Sequence, residues 1–218
     1  ERGGKSPAIF GRSCDLDAAI GRVAYAQLLN AGQDCIAPDY LMVPRGTGET
    51  VAGKMAAAMR KLYPTITDNP DYTSIISDRH FRRLDDMVRE VREAGAIVTQ
   101  VGKAEDAPKG NARRFTPTII RNADPDSRLM REEIFGPVLP IVEYGNLGEA
   151  IAHVNAGDRP LALYWFGRDR AARRRVLTET VAGGVTINDC LLHLAQEDQP
   201  FGGVGASGMG AYHGEWGF

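Results

Sequence analysis

The chain has 218 residues, 43% of them hydrophobic and 25% charged, with a formal net charge of −2. That composition is ordinary for a globular chain, and the length suits one large domain or at most two small ones. The near-neutral balance gives no electrostatic reason to expect nucleic acid or an anionic membrane as partner, no stretch approaches the length of a membrane span, and no signal peptide is read at the start.

Strand-like and helix-like segments alternate along the chain. Residues 7–10 make a short apolar strand, and Asp15 is placed to cap a helix running to about Leu29, with Ala18, Ala19, Val23, Ala26 and Leu29 at helical spacing. Residues 40–43 read as a strand, followed by a helix over 48–63 that Pro64 stops. A further helix begins at Ser77 or Asp78, carries Phe81, Leu84, Met87, Val88 and Val91 on one face, and ends before Gly95. Strands are expected over 96–101, 115–120, 138–144, 161–166 and 184–188, with helices over 147–154 and 170–179. Residues 102–111 read as a polar loop, and 201–210 as an irregular Gly-rich tail. The basic run 168–175 reads as one exposed helix face. This alternation predicts an α/β fold: an open, mostly parallel twisted sheet flanked by helices. Such sheets gather their sites at the carboxyl ends of the strands, where loops carrying Cys35, Glu133 and Asn188 could converge.

Three cysteines (Cys14, Cys35, Cys190) are odd in number and far apart, which fits a reducing, cytoplasmic compartment rather than a disulfide framework. The four histidines are scattered, and no metal site is read. Cys35 lies between a Gly-containing turn and an apolar strand, where a turn presents a thiol to a cleft. Such a thiol is a candidate nucleophile, because thiolate forms covalent adducts near neutral pH. Burial as a structural cysteine is the alternative.

Four segments together carry a resemblance. They are Glu-x-Gly-Gly-Lys-Ser-Pro at 1–7, Gly-Gln-x-Cys at 32–35, Glu-Glu-Ile-Phe-Gly-Pro-Val at 132–138, and Pro-Phe-Gly-Gly-Val at 200–204 followed by Ser207-Gly208. In that order, with Glu1 and Cys35 34 positions apart, they resemble the NAD(P)-dependent aldehyde dehydrogenases across essentially the whole chain. The segments 69–81, 160–166, 188–190 and 208–214 resemble the class 3-like branch. The approach 196–200 is similar to the bacterial coniferyl aldehyde dehydrogenases within that branch.

The resemblance implies oxidation of an aldehyde to the acid, with Cys35 as nucleophile and NAD or NADP as hydride acceptor. Glu1 matches the general base that activates water for deacylation; CoA-acylating members generally lack it, which favours the hydrolytic branch. Glu133 matches the residue that accepts from the nicotinamide ribose hydroxyls, and Phe135 the ring that packs near the nicotinamide. The Cys35 backbone N–H is one expected oxyanion donor. The other, an Asn, is expected outside these residues, as are the dinucleotide-binding domain and a C-terminal oligomerisation strand. On that reading residues 1–218 are a catalytic domain only, from a longer protein that is a homodimer. Asp34 and Ile36 flank the nucleophile and are expected to shape the substrate pocket, with His193 the residue of the 189–199 loop expected to face substrate. Lys5 is read as structural or interfacial, and His80, Asn188 and His213 as structural. Two other readings stay open: a non-enzymatic folding or association domain, and a weak thiol esterase working without cofactor.

Overall fold

A computed structural model describes residues 3–102 and 113–217. The chain runs β1 (Pro7–Phe10), α1 (Leu16–Leu28), β2 (Tyr40–Pro44), α2 (Gly48–Leu62), α3 (Asp78–Glu93), β3 (Ile97–Gln100), β4 (Thr118–Arg121), α4 (Arg128–Arg131), β5 (Val138–Tyr144), α5 (Leu147–Ala156), β6 (Ala162–Phe166), α6 (Arg170–Glu179) and β7 (Gly184–Ile187). These strands form one sheet in the order β3-β4-β5-β2-β1-β6-β7. Every pair is parallel except β3 with β4, where Ile97 lies opposite Arg121. The α/β architecture expected from the alternation is therefore present. Most of the loop expected at 102–111 lies outside the described residues.

Sequence chemistry explains the elements. The central strands read as unbroken apolar runs, such as Ala-Leu-Tyr-Trp-Phe in β6, because both of their faces are covered. Asp15, Ser77, Asn146 and Asp169 each accept a backbone N–H in the first turn of α1, α3, α5 and α6. This satisfies donors that helix starts otherwise leave unpaired. One core lies under α1, α2 and α3, and a second on the opposite face under α5 and α6. Among the described residues no helix is long and apolar enough to cross a membrane.

The strand direction corrects one expectation. Cys35 precedes β2 and Glu133 precedes β5, so both stand at the amino edge of the sheet. Asn188 follows β7 and sits at the carboxyl edge, where its Oδ1 accepts the Gly167 N–H at 2.8 Å. The loops do not converge at the carboxyl ends, because the strands that follow Cys35 and Glu133 run away from them.

Candidate active site

Three loops feed the adjacent strands β1, β2 and β5 at the amino edge: residues 3–6, 30–39 and 132–137. The middle loop presents Cys35. Asn30, Ala31 and Gly32 all take positive φ (51, 54 and 71°), which reverses the chain directly after α1. The Asn30 amide donates to the Gln33 carbonyl at 3.0 Å, and the Gln33 amide donates to Asn30 and Ser74 carbonyls at 3.1 Å. Asp34 Oδ1 accepts the Ile36 N–H at 2.9 Å, and the Tyr164 hydroxyl donates to the Ile36 carbonyl at 2.5 Å. Cys35, half-buried, sits on this braced turn.

The loop 132–137 is held as firmly from the other side. Arg83 of α3 donates to the carbonyls of Ile134 (2.9 Å) and Glu133, and His80 Nε2 lies 2.6 Å from the Phe135 carbonyl. Phe135 takes φ 55°, a conformation a bulky residue adopts only when its surroundings impose it. The Ile134 N–H donates to buried Asp39 at 2.8 Å, and the same carboxyl accepts from Lys5. Lys5 also reaches the carbonyls of Leu129 and Glu132 at 2.9 and 3.0 Å. Lys5 thus joins the first loop to the third, the structural role expected of it.

Gly32 brings the Cys35 turn onto that loop. A Cβ at position 32 would lie 2.4 Å from the Gly136 carbonyl oxygen, so only glycine permits the contact. Gln27 Nε2 ties the same place down, donating to the Gly136 and Val138 carbonyls at 3.0 and 3.2 Å. Asp34, Glu133 and Phe135 line one small cleft with Gly32 and Gly136. The Glu133 carboxylate accepts the Gly4 N–H and rests on Gly3, where a Cβ would be 1.8 Å away. Burial raises its affinity for a proton, opposed chiefly by that N–H. Glu1 lies outside the described residues.

A groove of about 720 Å³ leads to the turn. One wall is the α1 face bearing Ala18 and Tyr25, with Leu29 just past the helix end; the other is the 189–195 loop with Leu191, Leu192 and Leu194. Tyr25 and Leu192 are 57% and 54% exposed, so an apolar surface faces water there. Asp34 lines the groove's inner end, and Arg22 pairs with Asp189 across it at 3.5 Å. Two pocket expectations are corrected. Ile36 is fully buried in the core. His193 turns inward, its Nδ1 2.8 Å from Thr186 Oγ1 and its ring against Tyr164 and Phe201. Neighbouring leucines take the groove instead, because a β7-side hydroxyl draws the imidazole to the interior. Burial lowers the His193 pKa.

Burial favours the protonated form of the other two thiols. Burial raises Cys14 to about 11 and Cys190 well above its ordinary value, and among the described residues no disulfide forms. No cluster of potential metal ligands occurs among the described residues. The sequence reading missed Asp39, Gln27, Arg83 and the groove residues Tyr25 and Leu29.

A half-buried thiol thus sits on a braced turn, packed against a carboxylate-bearing loop, beside an apolar groove. The aldehyde dehydrogenase family model matches residues 1–218, and the chain belongs to that family. It is 49% identical over 219 residues to a protein of Caulobacter vibrioides named "Probable coniferyl aldehyde dehydrogenase", covering 100% of this chain and 45% of that protein. It is 44% identical to mouse aldehyde dehydrogenase family 3 member A2, again covering 100% of this chain and 43% of the relative. The solved substrate-bound state of Staphylococcus aureus AldH superposes with a TM-score of 0.90 at 38% identity, covering 98% of this chain and 45% of that one. The chain therefore spans less than half the length of the relatives it matches.

Proposed function

We propose that this chain is the catalytic domain of an NAD(P)-dependent aldehyde dehydrogenase with Cys35 as its nucleophile, acting on an aromatic aldehyde of the coniferyl type. One observation carries the reading above others: Gly32 and Gln27 lock the Cys35 turn onto the Glu133–Gly136 loop. A cofactor held by that loop would lie near the Cys35 turn.

The Cys35 thiolate adds to the aldehyde carbon, forming a C–S bond and a tetrahedral alkoxide. NAD(P), when bound, supplies the acceptor for the hydride that leaves that carbon. The resulting Cys35 thioester is cleaved by water, which adds to the acyl carbon and expels the thiolate. Glu133 fits the cofactor: a half-buried carboxylate with one N–H donor already in place has further lone pairs for two ribose hydroxyls. Phe135, lining the same cleft, would pack near the nicotinamide and help orient it. Glu1 is assigned the water-activating base on its motif and its spacing to Cys35. The aromatic substrate is supported by the Tyr25, Leu29 and Leu192 walls of the groove and by the name of the Caulobacter relative.

Two measurements test this. Hydrolysis of p-nitrophenyl acetate without cofactor should occur and vanish in Cys35→Ala; an unchanged rate would remove Cys35 from the mechanism. Coniferyl aldehyde should protect Cys35 from iodoacetamide better than a short aliphatic aldehyde, and equal protection would sink the aromatic assignment.

A further inference from the structure

A second cleft opens at the opposite, carboxyl edge of the sheet. The neighbouring strands β1 and β6 send their crossovers in opposite directions, β1 to β2 and β6 to β7. Their helices accordingly pack into different cores, α1 with α2 and α6 with α5. Loops that part in this way leave a crevice, which open α/β sheets use for ligands. Here the crevice measures about 510 Å³, within the range of small-molecule sites. The proposed aldehyde chemistry uses none of it.

The lining chemistry is one-sided. Arg12 spends one of its donors on the Gly145 carbonyl at 3.0 Å. Arg175 directs Nε and Nη2 to Glu179, at 2.7 and 3.0 Å. Each guanidinium has further N–H groups. Ser13 Oγ already accepts the Arg168 and Asp169 N–H groups, both at 2.9 Å, which leaves its own proton to donate. Trp165 is 1% exposed, and its indole N–H has no acceptor among the described residues. A Cβ at Gly167 would lie 3.1 Å from Trp165 Cζ2 and 3.2 Å from Ser13 Oγ, so the indole edge and the serine stand together. The one carboxylate, Asp169, has Oδ1 occupied by the Ala171 and Ala172 N–H groups. Tyr144, Leu147 and Ala172 make the remaining wall apolar.

Donors gathered over an apolar floor call for a ligand with negative acceptors on an apolar body. We propose that this crevice binds a small aromatic carboxylate, its carboxylate toward Arg12 and Ser13 and its ring on the Trp165 side. Inorganic phosphate lacks the body, and a neutral arene lacks the charge.

Trp216→Phe leaves Trp165 as the sole tryptophan, since the chain has 2. In that background, benzoate should change Trp165 fluorescence saturably, while benzamide and inorganic phosphate at equal concentration should not. Arg12→Gln, on an exposed loop, should weaken benzoate about tenfold, the loss of one charge-assisted contact. Benzoate could also enter the groove beside Cys35, so Leu192→Asp is the control and should leave the Trp165 titration unchanged. The assignment is overturned by no saturable change, by equal response to benzamide or phosphate, by unaltered affinity in Arg12→Gln, or by loss of the signal in Leu192→Asp.

Discussion

Gly32 decides more of this site than its lack of a side chain suggests. It holds a positive φ of 71° and backs onto the Gly136 carbonyl. Gly32→Ala should therefore cost roughly 2–4 kcal/mol in urea unfolding, combining backbone strain with a backbone clash. A cost under about 0.5 kcal/mol, the level of an unremarkable surface change, would mean the two loops are not locked. Reactivity offers a second test at this scale. Cys35 is half-buried on a turn, while Cys190 is 4% exposed and both other thiols are held protonated by burial. Iodoacetamide should label Cys35 first, and equal rates at all three would contradict its exposure on the turn. Cys35, Glu133 and Lys5 could be singled out in the sequence because each sits in a short motif of fixed local spacing. The orientations of Ile36 and His193 could not be. Which way a loop side chain turns depends on partners distant in sequence, here Tyr164, Thr186 and Phe201.

Among the elements, α3 acts as a clamp. His80 and Arg83, one turn apart on its first half, take the carbonyls of three successive residues, 133 to 135. Arg83→Met leaves those carbonyls short of a charged donor and should cost about 2–4 kcal/mol. The amides of 134–136 should also exchange with deuterium faster than in the parent. Unchanged exchange would show that the loop is held by Asp39 and Lys5 alone. The helices and central strands were readable from caps and apolar runs. The antiparallel β3, the single turn α4 and the edge of the sheet that carries the site were not. Pairing direction and sheet order are set by long-range packing, which a one-dimensional pattern does not encode.

For the molecule as a whole, the buried titratable groups set a pH window. Burial lowers His153 and His193 from their ordinary 6.5, so the unfolded chain binds more protons than the folded one as pH falls below that value. Stability from these groups is full above about 6.5 and declines as pH drops toward their folded pKa values. Cys14 and Cys190 act in the other direction: their contribution is full below 9.0 and is lost as pH rises from there, through about 11 for Cys14. The thermal midpoint should thus peak between these limits. A His193→Gln variant should flatten the acid limb, and an acid limb of unchanged slope would remove His193 from it. Because the chain spans less than half the length of its relatives, we expect the purified chain to produce no NADH from aldehyde and NAD(P). Robust turnover would show that the cofactor is bound within these residues alone.

The central claim is that Cys35 forms the acyl bond. Peptide mass spectrometry after brief exposure to p-nitrophenyl acetate tests it directly. The acetyl group should sit on the peptide containing Cys35 and disappear in Cys35→Ala while the fold persists. Acetylation confined to Cys14 or Cys190, or spread evenly over all three cysteines, would contradict it.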